Sequence, residues 1–346
     1  MPDRRILPRN DYSSPDRLYL GSDNRSLTTG LWLSSAMKQI LIRLALTLPV
    51  VWLVVSLVFL LIHMVPGDPI VQMLGDGATA ADIGALRHQY GLDQPLWAQY
   101  VHYWTGVLHG DLGTSIRMRS TVFNLISARY PYTLALTLTA LGFGLALALP
   151  AGVIAAVRRG RWLDQLLSVV SLFGLSVPGL ALGPVLILIF SIRLGWLPVS
   201  GANPGGGRLI DWHYLVLPSV AMGASLAAIL TRMIRTAMLE ELGQDYIRTA
   251  RAKGLSEMAV VSRHALPNAL VPIVTVVGLQ FGALLAGAIV TETIFSWPGL
   301  GRLTVSAISN RDYALVQGCL LSIGLTYVLV NLLTDVVYRW VNPRMR

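Results

Sequence analysis

The chain contains 346 residues and has a formal net charge of +9, yet only 13% of its residues are charged and 54% are hydrophobic. Soluble domains of ordinary composition contain about 25% charged residues. The composition therefore excludes the two soluble domains that the length alone would suggest. The single cysteine, Cys319, also excludes an intrachain disulfide framework and a cysteine metal site.

The first 37 residues differ from the rest of the chain, because five arginines and four aspartates are mixed there with prolines and serines. This segment has neither the apolar core of a secretory signal nor the acid-poor composition of a transit peptide. We interpret residues 1–37 as a disordered cytoplasmic extension and residues 38–346 as a transmembrane domain.

Six windows of about 19 or more residues lack Asp, Glu, Lys and Arg and are mostly apolar. About 20 apolar residues cross a bilayer as a helix, because lipid offers no partner to unpaired backbone groups. The sequence therefore predicts an all-α polytopic membrane protein with six transmembrane helices. The predicted spans cover residues 41–64, 130–157, 165–192, 212–234, 267–291 and 313–338.

Lysine and arginine are distributed unevenly between the two sides of these spans. Nineteen of the 27 lie on the side that carries both termini and eight on the other, whereas acidic residues divide almost evenly. This bias predicts that both termini are cytoplasmic, and it accounts for the positive net charge without nucleic-acid binding. The longest loop on the other side is the outside segment, residues 65–129.

Two helices are predicted within the outside segment. Thr79 and Asp82 match a capping box, which predicts that a helix begins at Thr79. An amphipathic helix over residues 94–110 is predicted to lie on a surface, with Asp93 as its cap and Pro95 in its first turn. Its apolar side chains recur every four residues, at Leu96, Tyr100, Trp104 and Leu108.

Motifs that carry catalytic chemistry are missing from the sequence. It has no G-x-x-x-x-G-K-[ST] phosphate loop, no H-E-x-x-H zinc helix, no G-x-S-x-G nucleophile turn and no carboxylate pair within the predicted spans. We therefore predict no catalytic residues, no metal and no cofactor. The chain is interpreted as a conduit that takes its energy from another protein.

Four polar residues lie within or near the predicted spans: His63, Gln280, Asn331 and Asp335. Polar groups at membrane depth are costly and often functional, but anchoring at the interface or hydrogen bonding between helices also explains them. His63 and Asp335 lie near helix ends, where water is accessible. Gln280 is the best candidate to line a transport pathway.

A compact basic passage, residues 237–267, interrupts the apolar pattern and is called the elbow below. A helix over residues 240–253 is predicted to end at Gly254, because glycine adopts positive φ angles at little cost. Ser256 is predicted to cap a second short helix, and Pro267 marks the start of the next span. These features suit either a surface that contacts anionic lipid or a docking element for a cytoplasmic partner.

The elbow resembles the cytoplasmic signature of ABC-importer permeases, E-A-A-x3-G-x9-I-x-L-P. With every spacing kept, the pattern falls on Arg248, Thr249, Ala250, Gly254, His264, Leu266 and Pro267. Arg248, Thr249 and His264 depart from the general consensus, but DYIRTARAKG (245–254) is typical of the dipeptide/oligopeptide branch. Further passages resemble that branch: HMVPGDP (63–69), YGLDQPL (90–96), GDLGTS (110–115), ETIFSWPGLGRL (292–303) and RDY (311–313).

The resemblance covers nearly all of the chain after residue 37 and implies a type I ABC importer permease-like fold in the bacterial inner membrane. It implies a second homologous permease subunit, two cytoplasmic ABC ATPase subunits that hydrolyse ATP, and an extracytoplasmic substrate-binding protein. Membrane lipid is the other expected contact, and nucleic acid is not. The implied ATPase-coupling residues are Asp245, Tyr246, Arg248, Thr249, Ala250, Arg251, Lys253, Gly254, Leu266 and Pro267.

The resemblance is less specific about the substrate. Short peptides, that is di- and oligopeptides, are the first expectation, and the same type of transporter carries nickel chelates, glutathione or sugars as alternatives. From a different class, a membrane channel or scaffold without ATPase partners is the other hypothesis. Co-purification of an ATPase distinguishes the two classes.

Overall fold

The computed structural model describes residues 45–60, 64, 70–71, 79–89, 91–115, 117–177, 179–203 and 210–341. The helices are α1 Ala45–Leu60, α2 Ala80–Gln89, α3 Leu96–His109, α4 Val122–Val157, α5 Trp162–Ser176, α6 Gly179–Arg193, α7 Trp212–Leu242, α8 Asp245–Ala252, α9 Glu257–Ile294, α10 Leu300–Ser309 and α11 Tyr313–Val341. Two short antiparallel strands, β1 Thr114–Ser115 and β2 Ser120–Thr121, precede α4.

Four of these helices, α4, α7, α9 and α11, are long and apolar enough to cross a membrane. A fifth span is present if α5 and α6 count together, since they pass the same test as a bent pair. The apolar helix α1 is shorter, and the rest of the first predicted span, 41–64, lies outside the described residues. The polytopic α-helical fold is thus confirmed, and the count of six spans stays a prediction.

The predicted span 165–192 is bent rather than straight. Its two parts, Trp162–Ser176 and Gly179–Arg193, meet at an angle of 98°. Val177, at the break, is extended, with φ −83° and ψ 116°. It precedes Pro178, and the proline ring disfavours the α conformation of the residue before it.

Glycines allow the spanning helices to pack closely. A Cβ on Gly152 of α4 would lie 2.7 Å from the Cβ of Ile234 on α7, and one on Gly223 of α7 would lie 2.7 Å from the Ala140 carbonyl oxygen. Gly278 of α9 in the same way leaves room for a side chain of α11. The helices α4, α7 and α9 therefore share one apolar core.

In the outside segment one cap prediction is confirmed and one is wrong. The Thr79 N–H donates to Asp82 Oδ2 (3.2 Å) and the Asp82 N–H to Thr79 Oγ1 (3.3 Å), which is the predicted capping box before α2. Asp93 does not cap α3, since its carboxylate pairs with His88 Nδ1 at 2.7 Å and raises the pKa of that imidazole. Pro95, predicted inside the first turn, is itself the N-cap.

The amphipathic helix α3 contacts α1 along one side only. Tyr100 Oη lies 2.6 Å from Ser56 Oγ, and the ring of Phe59 packs edge-on against Tyr100. Trp97 and Leu108 are 71% and 74% exposed. The helix therefore leaves a broad apolar side uncovered by the described residues.

The elbow differs from its predicted helical pattern at both ends. The helix α7 ends at Leu242, and an extended Gln244 separates it from α8, so the predicted continuous helix 240–253 is wrong. Glycine at position 243 weakens helix propagation there. The predicted second short helix is the first part of α9. A π stretch, Val260–Ala265, leads directly to Pro267, which has no N–H to pair and lies within the helix.

Candidate functional site

The short helix α8 is anchored to the protein by one apolar face. Ile247 is fully buried and Ala250 is 6% exposed, and both belong to the core cluster that includes Val260, Val261 and Ala265 of α9. The opposite face of α8 is polar. The burial of side chains three residues apart therefore holds α8 against the C-terminal end of α7 and the N-terminal end of α9.

The structure leaves most of the predicted coupling residues exposed. Those that are exposed are Asp245, Tyr246, Arg248, Thr249, Arg251, Lys253, Gly254 and Pro267. Leu266 is half-buried and Ala250 is buried, so these two position the elbow from beneath rather than face a partner.

Gly254 forms the hinge between α8 and α9. Its φ angle is +80°, in the left-handed region that favours glycine, as the sequence predicts. Apart from Gly254 and its two chain neighbours, no described residue has a heavy atom within 4 Å of the position that a Cβ would take. The Ser256 hydroxyl accepts a hydrogen bond from the Ala259 N–H (3.4 Å), which confirms the predicted cap.

An ion pair crosses the hinge. The Arg251 guanidinium donates to both carboxylate oxygens of Glu257, with Nε–Oε1 2.7 Å and Nη2–Oε2 3.2 Å. Both side chains are substantially exposed, at 41% and 63%, so the pair stabilises the hinge only modestly. Its bidentate geometry links the last turn of α8 to the first turn of α9.

Tyr246 connects three helices at the elbow. Its hydroxyl donates to the Glu241 carboxylate at the end of α7 and accepts from Asn268 Nδ2 of α9 at 3.0 Å. Asn268 also donates to the His264 carbonyl oxygen at 3.1 Å. Sequence reasoning singled out Tyr246 but missed Asn268 and Glu241, although an asparagine at the start of a charge-free window was a signal.

A buried ion pair holds the connection between α4 and α5 to the C-terminal part of α7. Arg235 Nε and Nη2 donate to the two Asp164 carboxylate oxygens at 2.6 and 2.9 Å, and the Gly160 N–H donates to the same carboxylate at 2.9 Å. The Asp164 side chain is 6% exposed. This bidentate pair joins the start of α5 to the segment of α7 that leads into the elbow.

Two of the passages that resemble the family also supply buried carboxylates outside the elbow, Glu292 from ETIFSWPGLGRL and Asp312 from RDY. Glu292 is fully buried, accepts from Thr133 Oγ1 at 2.6 Å and from the Arg302 N–H at 2.9 Å, and lies at the N-terminus of α10. Thr133 in turn accepts from the Leu300 N–H at 2.7 Å. The N-cap of α10, Gly299, has no side chain, so these two residues satisfy the helix terminus instead.

A similar long-range pair joins GDLGTS to RDY. The Ser115 hydroxyl donates to the buried Asp312 carboxylate, which also accepts from the Leu315 N–H at 3.3 Å. Ser115 also accepts from the Met118 N–H at 3.0 Å. The carboxylate thus ties the short hairpin of β1 and β2 to the start of α11.

Gln280, the predicted pathway residue, is half-buried in the middle of α9, away from the elbow. Its side chain makes no hydrogen bond within the described part of the chain. Across the same described residues, no group of three or more His, Cys, Asp or Glu side chains is placed to hold a metal ion.

Comparisons with known proteins agree along almost the whole chain. Residues 148–346 match the family described as binding-protein-dependent transport system inner membrane component, and residues 37–137 match the N-terminal part of such components. The glutathione transport system permease protein GsiC of Escherichia coli is 44% identical over 310 residues, which are 90% of this chain and 99% of GsiC. GsiC of Shigella flexneri serotype 5b has the same identity and coverage.

Solved structures share the fold. A methionine ABC transporter, MetNI, in an inward-facing conformation matches with a TM-score of 0.52 and 22% identity, over 63% of this chain and 96% of that one. An amino acid ABC transporter with histidines matches with a TM-score of 0.50 and 15% identity, over 63% and 94% of the two chains. At these identities the likeness concerns the fold alone, which is that of type I ABC importer permeases.

Proposed function

Because the chain belongs to the inner-membrane components of binding-protein-dependent transport systems, we propose that it forms, with a second homologous permease subunit, the pathway of an ATP-driven importer for short peptides. It is a multi-pass inner-membrane permease of the peptide type. In this proposal two separate ATPase subunits hydrolyse ATP, and an extracytoplasmic binding protein delivers the substrate.

The observation that carries the substrate proposal is the 44% identity to the glutathione permease GsiC over 99% of its length. Glutathione is a tripeptide, so it falls within the class of short peptides. The absence of the G-x-x-x-x-G-K-[ST] loop from this sequence supports separate ATPase subunits.

Ligand screening of the cognate binding protein tests the substrate class. We expect the purified binding protein to bind di- and tripeptides, glutathione among them, and the reconstituted complex to transport the same compounds. A binding protein that takes only nickel chelates or only sugars would overturn the peptide proposal. A permease that purifies without any ATPase would favour the channel or scaffold hypothesis.

We propose the exposed face of α8 and Gly254 as the surface that the ATPases grip. Two features support this role: the apolar anchoring of α8 through Ile247, and the Tyr246 hydroxyl that connects α7, α8 and α9. Switching a two-state gate from 1:99 to 99:1 takes about 5.5 kcal/mol of differential binding. An elbow fixed to three helices transmits such a bias to the spans better than a flexible loop does.

The orientation with both termini cytoplasmic predicts the result of reporter fusions. We expect position 202 to lie outside the cytoplasm and position 257 inside it, because arginine and lysine concentrate on the elbow side. A reporter fused after Ala202 should therefore report an extracytoplasmic location, and one fused after Glu257 a cytoplasmic location. Alkaline phosphatase and green fluorescent protein fusions measure the two locations. Both reporters on the same side would contradict the topology.

The outside segment is proposed to help dock the binding protein through α3. We expect a photo-crosslinking residue at Trp97, which is 71% exposed, to capture the binding protein when substrate is present. Trp162 is a matched control, because it is 67% exposed but begins α5 at the end of that helix assigned to the cytoplasm. Immunoblots for the binding protein measure both. Crosslinks from Trp97 to lipid alone would contradict the docking role.

A further inference from the structure

An open cavity of about 470 Å³ lies between α5, α7 and α9, in the part of α7 next to the elbow. Its walls are mostly apolar and include Leu175, Met233 and Ile273. Three polar residues of α7 also line it, namely Arg232, Thr236 and Glu240. This volume lies within the range of about 300–1,000 Å³ that is usual for small-molecule sites.

The two charged residues of the cavity have no partner among the described residues. Arg232 and Glu240 are exposed, and neither side chain forms an ion pair or a hydrogen bond within that part of the chain. They are eight residues apart on α7, which places their Cα atoms about 12 Å apart along the helix axis. The Thr236 hydroxyl between them bonds to the Arg232 carbonyl oxygen at 3.1 Å.

One cation and one anion at this separation favour a zwitterion over a simple ion. An anionic headgroup attracted to Arg232 would be repelled by Glu240, and a cation attracted to Glu240 would be repelled by Arg232. A tripeptide extends over at most about 10–11 Å and has a carboxylate at one end and an ammonium at the other. Its length and its charges therefore match the two side chains, and apolar walls accept its side chains.

One face of α9 leads from the cavity toward the middle of that helix. Ile273 of α9 lines it, and Gln280 lies seven residues further along the same helix. Seven residues are close to two turns, so the two side chains share one face of α9, about 10 Å apart along the axis. The face that borders the cavity therefore leads to the residue that the sequence singles out as a pathway candidate.

We propose that this cavity is the cytoplasmic vestibule of the peptide pathway, where Arg232 receives the peptide carboxylate and Glu240 receives the peptide ammonium. The inference rests on the proposed peptide import. Because both side chains are exposed, each contact is weak, which suits release of the peptide into the cytoplasm.

A photoreactive tripeptide, alanyl-p-benzoylphenylalanyl-alanine, tests the vestibule in the purified complex of both permeases and the ATPases without nucleotide. We expect the probe to be crosslinked to the proteolytic fragment of the permease that contains Met233. Glu240→Gln should lower labelling by the free tripeptide about fivefold and leave labelling by its N-acetyl form unchanged. Arg232→Gln should also lower labelling by the free tripeptide about fivefold and leave labelling by its C-terminal amide form unchanged.

Arg263→Gln is the control, because Arg263 is exposed on the same side of the protein but does not line the cavity. Two results would overturn the vestibule but leave peptide import standing, provided that trialanine is transported at the wild-type rate. The first is label only outside the cavity, and the second is wild-type labelling of both the Glu240→Gln and the Arg232→Gln variants. If phosphatidylglycerol but not trialanine competes with the labelling, the cavity is a lipid site and the vestibule proposal is overturned. A wild-type complex that transports no peptide would refute the proposed function, and the vestibule with it.

Discussion

Replacing Gly254 with aspartate should leave the protein in the membrane and paired with its partner permease, but lower transport at least about tenfold. The φ angle of +80° strains any L side chain at this position by about 1–2 kcal/mol. Since no described residue beyond the two chain neighbours of Gly254 has a heavy atom within 4 Å of the new Cβ, the side chain points into space that a docked partner would occupy. Transport, ATP hydrolysis and ATPase retention in the purified complex measure the effect.

Gly195→Asp is the matched control for backbone strain. Gly195 has φ +64° and open space around its Cβ, but it lies in the connection after α6, far along the chain from the elbow. It should retain the ATPases at the wild-type level. Wild-type transport by Gly254→Asp would mean that the elbow is a lipid-facing surface.

Alanine at Arg248 or Arg251 should have a smaller effect than Gly254→Asp. Among the described residues, the Arg248 guanidinium pairs only with Asp245, three residues away, at 3.2 Å, and both side chains are highly exposed. Arg251 holds Glu257 across the hinge, so its loss should be the larger of the two. Each exposed pair contributes at most about 1 kcal/mol.

The sequence predicts those parts of the fold that depend on local composition. Long charge-free windows predict α4, α7, α9 and α11, because lipid exposure requires apolar helices whatever their neighbours are. The left-handed Gly254 and the Ser256 cap are equally local. In contrast, Gly243 marks a weak point in the helix before α8, but the burial of Ile247 and Ala250 in the cluster shared with α9 is a tertiary contact that the local sequence does not contain.

The polar contacts of the site are less predictable, because their partners lie far apart in the chain. Asp164 and Arg235 are separated by 71 residues, and Thr133 and Glu292 by 159. Asp93 shows the same limit at short range, since its position suited a helix cap but His88 competes for the carboxylate. Passages that resemble a family, such as GDLGTS and RDY, indicate that such contacts exist but not which residues meet.

Glu292→Ala is expected to lower the amount of folded protein in the membrane several-fold, the second large effect. The substitution leaves the Thr133 hydroxyl and the Arg302 N–H without an acceptor in a buried site. Each orphaned group costs about 1–3 kcal/mol, and the N-terminus of α10 also loses the side chain that accepts from its backbone. A loss of this size changes cellular abundance several-fold. Immunoblots of membranes and thermal unfolding of the purified complex measure it.

Two further variants separate the role of the carboxylate from general damage to α9. Glu292→Gln keeps the side-chain volume and one acceptor oxygen, so its membrane level should lie between those of Glu292→Ala and the wild type. Thr293→Ala should match the wild type, because Thr293 is exposed and bonds only to the Ile289 carbonyl oxygen of its own helix at 2.8 Å. A Cβ on Gly299 or Gly301 would clash with the Glu292 carboxylate, so the carboxylate fits closely against the backbone at these two glycines. A wild-type level and unfolding temperature for Glu292→Ala would therefore show that α10 docks without this carboxylate.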